Sequence, residues 1–221
     1  YAKLLEEQGV KLIFGVQNLK VHAKICVIER KTKNVIKKYG FISTGNFNES
    51  TAKVYTDFTL FTSNKKVLND ISKIFNFFNA NYKKYTYKYL KLSPFDTQPF
   101  FTKMIKQEIK NAKNNLPASI KIKLNNITSY AMIRELYKAA KAGVKIKMIV
   151  RGICCLIPEN EKNIEVISIV DRFLEHTRFF IFNNNGKNDT YISSADWMTR
   201  NLDNRVEVTC PILDVNIKNE I

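Results

Sequence analysis

The sequence predicts an α/β protein made of two similar halves, and three observations carry that reading. The chain has two histidines, His22 and His176, and each is followed two residues on by a cation, Lys24 and Arg178. Each motif then meets a turn of small residues, Ser43-Thr44-Gly45-Asn46 in the first half and Ser193-Ser194-Ala195-Asp196 in the second, and after it a carboxylate in a strand-like run, Asp57 in TDFTLF and Glu207 in RVEVTC. The histidines lie 154 positions apart but the turns and carboxylates 150, so one four-residue shortening of the hairpin loop aligns both blocks. Like chemistry at like places in strand–loop–strand–turn–strand order is an internal repeat. Two such halves about a pseudo-twofold axis would bring both histidines to one cleft. On a strand, where side chains alternate with period two, each histidine and its cation would point the same way.

Taken in order, Leu4 and Leu5 are the apolar residues of a helix that Gly9 ends. Val10 to Phe14 reads as a strand, and Ile25, Val27 and Ile28 as a buried one. Lys31 to Asn34 is a charged hairpin loop, Tyr39 to Ser43 the returning strand, and Val54 to Phe61 the next. Gly45 suits a tight bend near an anion. Asn64 can cap a helix whose Val67, Leu68, Ile71, Ile74, Phe75 and Phe78 form a core stripe. Residues 81–123 hold ten lysines against Asp96 and Glu108, with Tyr82, Tyr85, Tyr87 and Tyr89 among them. Such a stretch is more often a solvated linker with half-buried tyrosines than a stacking platform for single strands. Ser93-Pro94 marks the joint, giving units 1–92 and 93–221. In the second unit Phe100 to Ala112 and Ser129 to Ala142 read as helices. Ser119 to Leu124, Val144 to Val150, Ile164 to Ile169, Phe179 to Phe182, Thr190 to Ile192 and Val206 to Thr209 read as strands. The Val144–Val150 strand delivers Arg151-Gly152 at its carboxyl end, where open α/β sheets place ligands and an Arg can grip a phosphate with both arms.

Composition narrows the partner. The chain of 221 residues is 45% hydrophobic, enough for a sizeable core, with a net charge of +16 and a pI near 9.6. That balance points to a polyanion, with nucleic acid, an anionic membrane surface and inorganic phosphate polymers all open. Cys26, Cys154, Cys155 and Cys210 lie in apolar runs without metal-ligand spacing, so buried free thiols in a reducing compartment are expected. No run of about 18 apolar residues or signal peptide is visible. The chain opens at Tyr1, without Met and in mid-pattern, which reads as a fragment whose first domain is truncated at its N-terminus.

HAK at 22–24, STGNFN at 43–48, TAKVYTDFTLF at 51–61, VRGICCL at 150–156, RFLEHTR at 172–178 and SADWMTRNLDNRVEV at 194–208 resemble the carboxy-terminal catalytic region of the bacterial polyphosphate kinase family. The resemblance covers nearly the whole chain, and the last block is long and specific. It implies two phospholipase D-like α/β domains and a phosphotransferase that moves the terminal phosphate of ATP reversibly onto inorganic polyphosphate through a phosphohistidine. His22 matches the family's phosphorylated nucleophile and His176 its second histidine, an acid/base that also binds ATP; Tyr55 and Arg151 match its nucleotide-binding Tyr and Arg. Arg178 stands where the wider superfamily has Lys. Magnesium would be the cofactor, its ligands upstream of Tyr1, with no metal site in this chain, and the fragment alone is expected to be inactive. The implied partners are ATP and polyphosphate, not nucleic acid, for a cytoplasmic protein, homo-oligomeric in full length, with peripheral membrane association left open.

The chemistry agrees with that resemblance. A histidine nucleophile must be neutral at the attacking nitrogen, and a carboxylate on the other nitrogen fixes that tautomer. Asp57 and Glu207, one per repeat, are the candidates. Lys24, Arg178, Arg151, Asn46 and Asn48 would spread over the phosphoryl oxygens, where transfer depends on positioning and charge. Two alternatives use the same features differently: a phospholipase D-like phosphodiesterase or nuclease that releases product to water, and a non-catalytic polyanion-binding module.

Overall fold

Apolar runs that find partners become strands, and those that do not stay irregular. The computed structural model describes residues 1–33, 35–158 and 161–221. Helix α1 (Ala2–Glu7) ends as expected, with Gly9 at φ 80°. The strand expected at 10–14 does not form: Val10, Ile13 and Phe14 are exposed, and no strand among the described residues pairs with them. The first strand is instead β1 (Lys20–Val21). β2 (Lys24–Thr32) and β3 (Val35–Ser43) form a hairpin nine pairs long, tighter than the expected loop; Asn34 lies outside the described residues. Gly40 is needed there, because a Cβ would lie 2.3 Å from the Cys26 carbonyl oxygen and 2.7 Å from a Leu68 methyl.

A four-residue helix α2 (Glu49–Ala52) follows, and then the single strand expected at 54–61 is two: β4 (Tyr55–Thr56) and β5 (Thr59–Thr62), which pairs with β3. Asp57 sits at the break. Helix α3 (Lys65–Asn79) is capped by Asn64, whose side chain accepts from the Lys66 and Val67 N–H groups. It buries Val67, Leu68, Ile71, Ile74 and Phe77, the last in place of the expected Phe75 and Phe78, which are half-buried against the same cluster. Tyr85, Tyr87 and Tyr89 pack on that core too, in keeping with the linker reading of the Lys/Tyr stretch.

The remaining elements are β6 (Lys91–Ser93), α4 (Thr97–Lys113), β7 (Ser119–Leu124), α5 (Tyr130–Lys141), β8 (Lys145–Val150), β9 (Ile164–Ile167), β10 (Leu174–Glu175), β11 (Phe179–Phe182), β12 (Asp189–Ser193), α6 (Thr199–Asp203), β13 (Arg205–Pro211) and α7 (Val215–Glu220). Ser129 caps α5 by accepting from Met132 N–H, and Met132, Ile133, Leu136 and Ala140 face inward as the periodicity requires. The eight-stranded sheet runs β1-β13-β12-β11-β7-β8-β9, with β6 also on β13. Helices α4 and α5 bury a cluster against it that includes Phe101, Phe180 and Trp197, rings 4.3 to 5.3 Å apart. Such aromatic contacts add about 0.5–1.5 kcal/mol each beyond the area they bury. Trp197, fully buried, anchors the turn that holds Asp196.

The four thiols are free, but only Cys210 is buried; Cys26 is half-buried, and Cys154 and Cys155 are exposed. The apolar run of β8 continues past the sheet's edge, so residues that read as core emerge on a loop. No helix among the described residues is long and apolar enough to cross a membrane.

Two short parallel pairings cross between the halves. β1 of the first lies on β13 of the second, Val21 opposite Val206, and β10 of the second lies on β4 of the first, Glu175 opposite Thr56.

Candidate active site

The turns repeat bond for bond. Gly45 N–H donates to Ser43 Oγ and Ala195 N–H to Ser193 Oγ, both at 3.1 Å. Phe58 N–H donates to Thr44 Oγ1 at 3.0 Å and Val208 N–H to Ser194 Oγ at 3.1 Å. The hydroxyls then donate to the carboxylates, Thr44 to Asp57 Oδ1 at 2.6 Å and Ser194 to Glu207 Oε2. Every pair of equivalents is 150 positions apart. The departure is at Gly45, where a Cβ would lie 2.0 Å from Asp57 Oδ2. The aligned position tolerates a methyl group, that of Ala195.

Each carboxylate serves the histidine of the other half. His22 Nδ1 donates to Glu207 Oε2 at 2.9 Å, and His176 Nδ1 to Asp57 Oδ1 at 2.8 Å. A carboxylate can only accept, so each imidazole carries a proton on Nδ1, and in the neutral ring Nε2 keeps its lone pair. The crossed strands produce this arrangement. His22 follows β1 and gives its N–H to Val206 O at 2.9 Å; His176 follows β10 and gives its N–H to Thr56 O at 3.2 Å. The histidines therefore sit just beyond short parallel strands rather than within a strand, as the alternation argument had them. Glu207 is fully buried and also accepts from Asn201 Nδ2 at 2.7 Å.

The two cations differ. Arg178 is held by Asp196, Nε to Oδ1 and Nη2 to Oδ2, each at 3.2 Å. Its Nη1 donates to the carbonyls of His176 (2.9 Å) and Thr44 (3.4 Å), nearly equidistant from both ring nitrogens of His176. The Lys24 ammonium, by contrast, is buried without a hydrogen-bond partner among the described residues. Burial pulls it down to about 8, against the attraction of Glu207 and Asp57 and with the help of Arg178. Burial, opposed by the Asp57 hydrogen bond and aided by Arg178, holds His176 below its usual value. Burial would raise Asp57, but the hydrogen bonds from His176 and Thr44 outweigh it and keep the carboxyl low.

Residues 90–221 match the family described as "Polyphosphate kinase C-terminal domain 2" and residues 1–84 "Polyphosphate kinase C-terminal domain 1". The chain belongs to the polyphosphate kinase family. It is 45% identical over its whole length to the polyphosphate kinase of Escherichia coli (strain K12), of which it spans 33%, and 44% identical to that of Vibrio parahaemolyticus, of which it spans 32%. The crystal structure of polyphosphate kinase from Porphyromonas gingivalis superposes with a TM-score of 0.93 at 37% identity, covering 99% of this chain and 34% of that one. The chain thus spans about a third of the length of the relatives it matches.

The other residues expected of a polyphosphate kinase site fall unevenly around the histidines. Tyr55 packs beside His176, ring centroids 5.0 Å apart. Arg151 gives Nε to Asn125 Oδ1 (3.1 Å) and to the Glu175 carbonyl (3.0 Å), which leaves its two terminal nitrogens for a ligand. Asn46 is exposed at a shallow cavity of about 420 Å³ that Tyr55 and Asp57 also line. Asn48 is on that rim too, but its carbonyl oxygen caps α2. A roomier trough of about 700 Å³ lies on the open sheet face among Lys121, Lys147, Lys187 and Lys218, and neither histidine lines it. Sequence reasoning missed Lys123, buried and paired with Glu175 at 3.1 Å, as well as Asn125 and Asn201, which support Arg151 and Glu207. It read Asp196 only as a turn residue. Among the described residues no three His, Cys, Asp or Glu side chains gather to hold a metal, and Asp57, Glu207 and Asp196 are engaged with His176, His22 and Arg178. The residues present do not fit a magnesium ion.

Proposed function

We propose that this chain carries the catalytic histidines of a polyphosphate kinase, which moves the terminal phosphate of ATP reversibly onto inorganic polyphosphate through a phosphohistidine. The observation that carries the reading is the pair of crossed histidine–carboxylate contacts, His22 on Glu207 and His176 on Asp57. In the reaction His22 Nε2 attacks the γ-phosphorus, the bond to the β–γ bridging oxygen breaks, and ADP leaves. The imidazole becomes cationic as the N–P bond forms, and Glu207 on Nδ1 stabilises that charge. Lys24 meets the phosphoryl oxygens, where charge stabilisation does most of the work in phosphoryl transfer. The terminal oxygen of a polyphosphate chain then attacks the same phosphorus and frees His22. His176, neutral at Nε2, manages the proton on the incoming or leaving phosphate. Arg151 and Tyr55 contact the nucleotide, with Asn46 and Asn48 around the phosphates, while Arg178, expected there from the sequence, stands on Asp196 beside His176, and residues 1–92 and 93–221 are the two functional units. ATP brings magnesium with it as its usual counter-ion, held by groups other than those described here. The hydrolytic alternative draws no support from relatives named for a kinase. The test is acid-labile, base-stable labelling of the full-length protein by γ-labelled ATP: His22→Ala should abolish the label and His176→Ala impair turnover. Undiminished labelling of the His22 variant would refute the assignment.

A further inference from the structure

The two halves are unequal at Gly45 and Ala195, and they are unequal in charge at Asn46 and Asp196. In the second half Asp196, about 4% exposed, grips Arg178 through both oxygens. With Nη1 on two carbonyls, four of the five N–H groups of that guanidinium are engaged. Asp196 Oδ1 also accepts the N–H groups of Asn125 (2.8 Å) and Asn126 (3.3 Å). Through Asn125, which accepts from Arg151, and Asn126, which accepts from Ile153 N–H at 2.9 Å, it braces the loop that follows β8. In the first half the position aligned with Asp196 is Asn46, neutral and exposed, and the cation aligned with Arg178 is Lys24, buried and unpartnered.

A cation bound two-pronged by a buried carboxylate is poorly placed to receive an anion, because the anion must displace a satisfied charge from a site where water cannot compensate. A buried ammonium without a partner is the opposite case: an anion supplies the missing partner. The repeat thus offers two imidazoles of the same tautomer, but of its two aligned cations only Lys24, two residues after His22, is without a partner among the described residues. We propose that Asp196 is a positioning residue that withholds Arg178 from phosphate and fixes it against His176, and that the neutral Asn46 at the equivalent place leaves Lys24 to receive the phosphoryl group, so that the covalent intermediate forms on His22 and not on His176. The proposal rests on the reading of the site as a phosphohistidine kinase and adds why one of two near-equivalent histidines is chosen.

Two arms test it in the full-length protein. In the first, histidine-selective ¹⁵N labelling follows the titration of both imidazoles in wild type and Asp196→Asn. The titration of His176 should move down, since a nearby negative charge is lost while Arg178 Nη1 stays on the His176 carbonyl with its charge no longer balanced, and that of His22 stays in place. An unmoved His176, or an equal movement of both, overturns the positioning role. The second arm needs no buried change. Asn46→Asp gives Lys24 the partner that Arg178 has and should slow labelling by γ-labelled ATP at least tenfold. Lys24→Met should do the same, and the double variant should be within twofold of Lys24→Met alone. Losses that multiply would show that the new carboxylate acts by some route other than Lys24 and would overturn the proposal, as would an Asn46→Asp protein labelled at the wild-type rate. Wild-type protein without label on His22 would sink the kinase reading, while the titration arm would still judge Asp196.

Discussion

Glutamate 207 offers a substitution that removes charge and little else. In Glu207→Gln one oxygen must serve His22 Nδ1 and Ser194 Oγ, and the new amide then faces Asn201 Nδ2, a donor against a donor. Asn201 can answer by flipping, because its Oδ1 is buried and unpartnered in the native protein and would accept from the new amide. The fold should therefore survive, with a urea stability within about 1 kcal/mol of wild type. What is lost is the anion behind Nδ1 when the ring becomes cationic. A hydrogen bond to a charged group is worth roughly 1.5–3 kcal/mol, and 1.36 kcal/mol is tenfold in rate, so phosphoenzyme formation should slow by about 10- to 150-fold. Rapid-quench labelling of the full-length protein with γ-labelled ATP measures that step. Asp57→Asn, which strips the partner of His176, should spare the first step more and slow the transfer to polyphosphate. A Glu207→Gln protein labelled at the wild-type rate, or a larger loss of labelling in Asp57→Asn, would refute the crossed assignment.

Other outcomes follow from the same geometry. Gly45→Ala drives a methyl group into Asp57 and should cost about 1–3 kcal/mol by urea titration along with turnover, whereas Ala195→Gly, which opens space, should leave His22 labelling intact. Lys24→Met removes a buried, unpaired charge; it should raise stability by about 1 kcal/mol or more while polyphosphate affinity falls. His176 is held below its ordinary 6.5 in the folded protein, so the unfolded chain takes up the proton first. Its contribution to stability is complete above pH 6.5 and is lost as pH falls below it, and His176→Gln should flatten the urea midpoint across that window. Asp57, lowered from 3.8, acts in a separate window, its contribution lost only as pH falls below that value. With a net charge of +16, the chain should bind polyphosphate more weakly as salt rises, and an affinity unchanged between low and physiological salt would argue against a charged groove.

What was legible in the sequence was periodic or repeated. The 150-residue offset located Asp57 and Glu207 before any contact was known, and helical spacing with Asn64 and Ser129 caps located α3 and α5. Neighbours decided the rest. Val10 to Phe14 has strand-like residues but no partner, and propensity without pairing does not make a strand. The run at 54–61 breaks because Asp57 must turn towards His176, a residue 119 positions away. Offset alone pairs like with like within a repeat and could not reveal that each carboxylate crosses to the other half. Lys123 and Asn201 carried no local signal, since each acts through a residue distant in sequence. Asp196 did carry one: an acid aligned with Asn46, in a chain with few acids, 18 positions from the cation it holds.

The crossing of β1 onto β13 and of β10 onto β4 also sets a clock. His22 and the carboxylate that its Nδ1 meets are separated by 185 positions. A ribosome adding roughly 5–20 residues per second needs on the order of 10–40 seconds to cover that interval. Through that time the nascent chain displays His22 without its orienting carboxylate, and His176 arrives with only the end of the site still to be made. The crossed pairing cannot build up gradually as segments emerge; it closes once, when the last strand of the sheet docks.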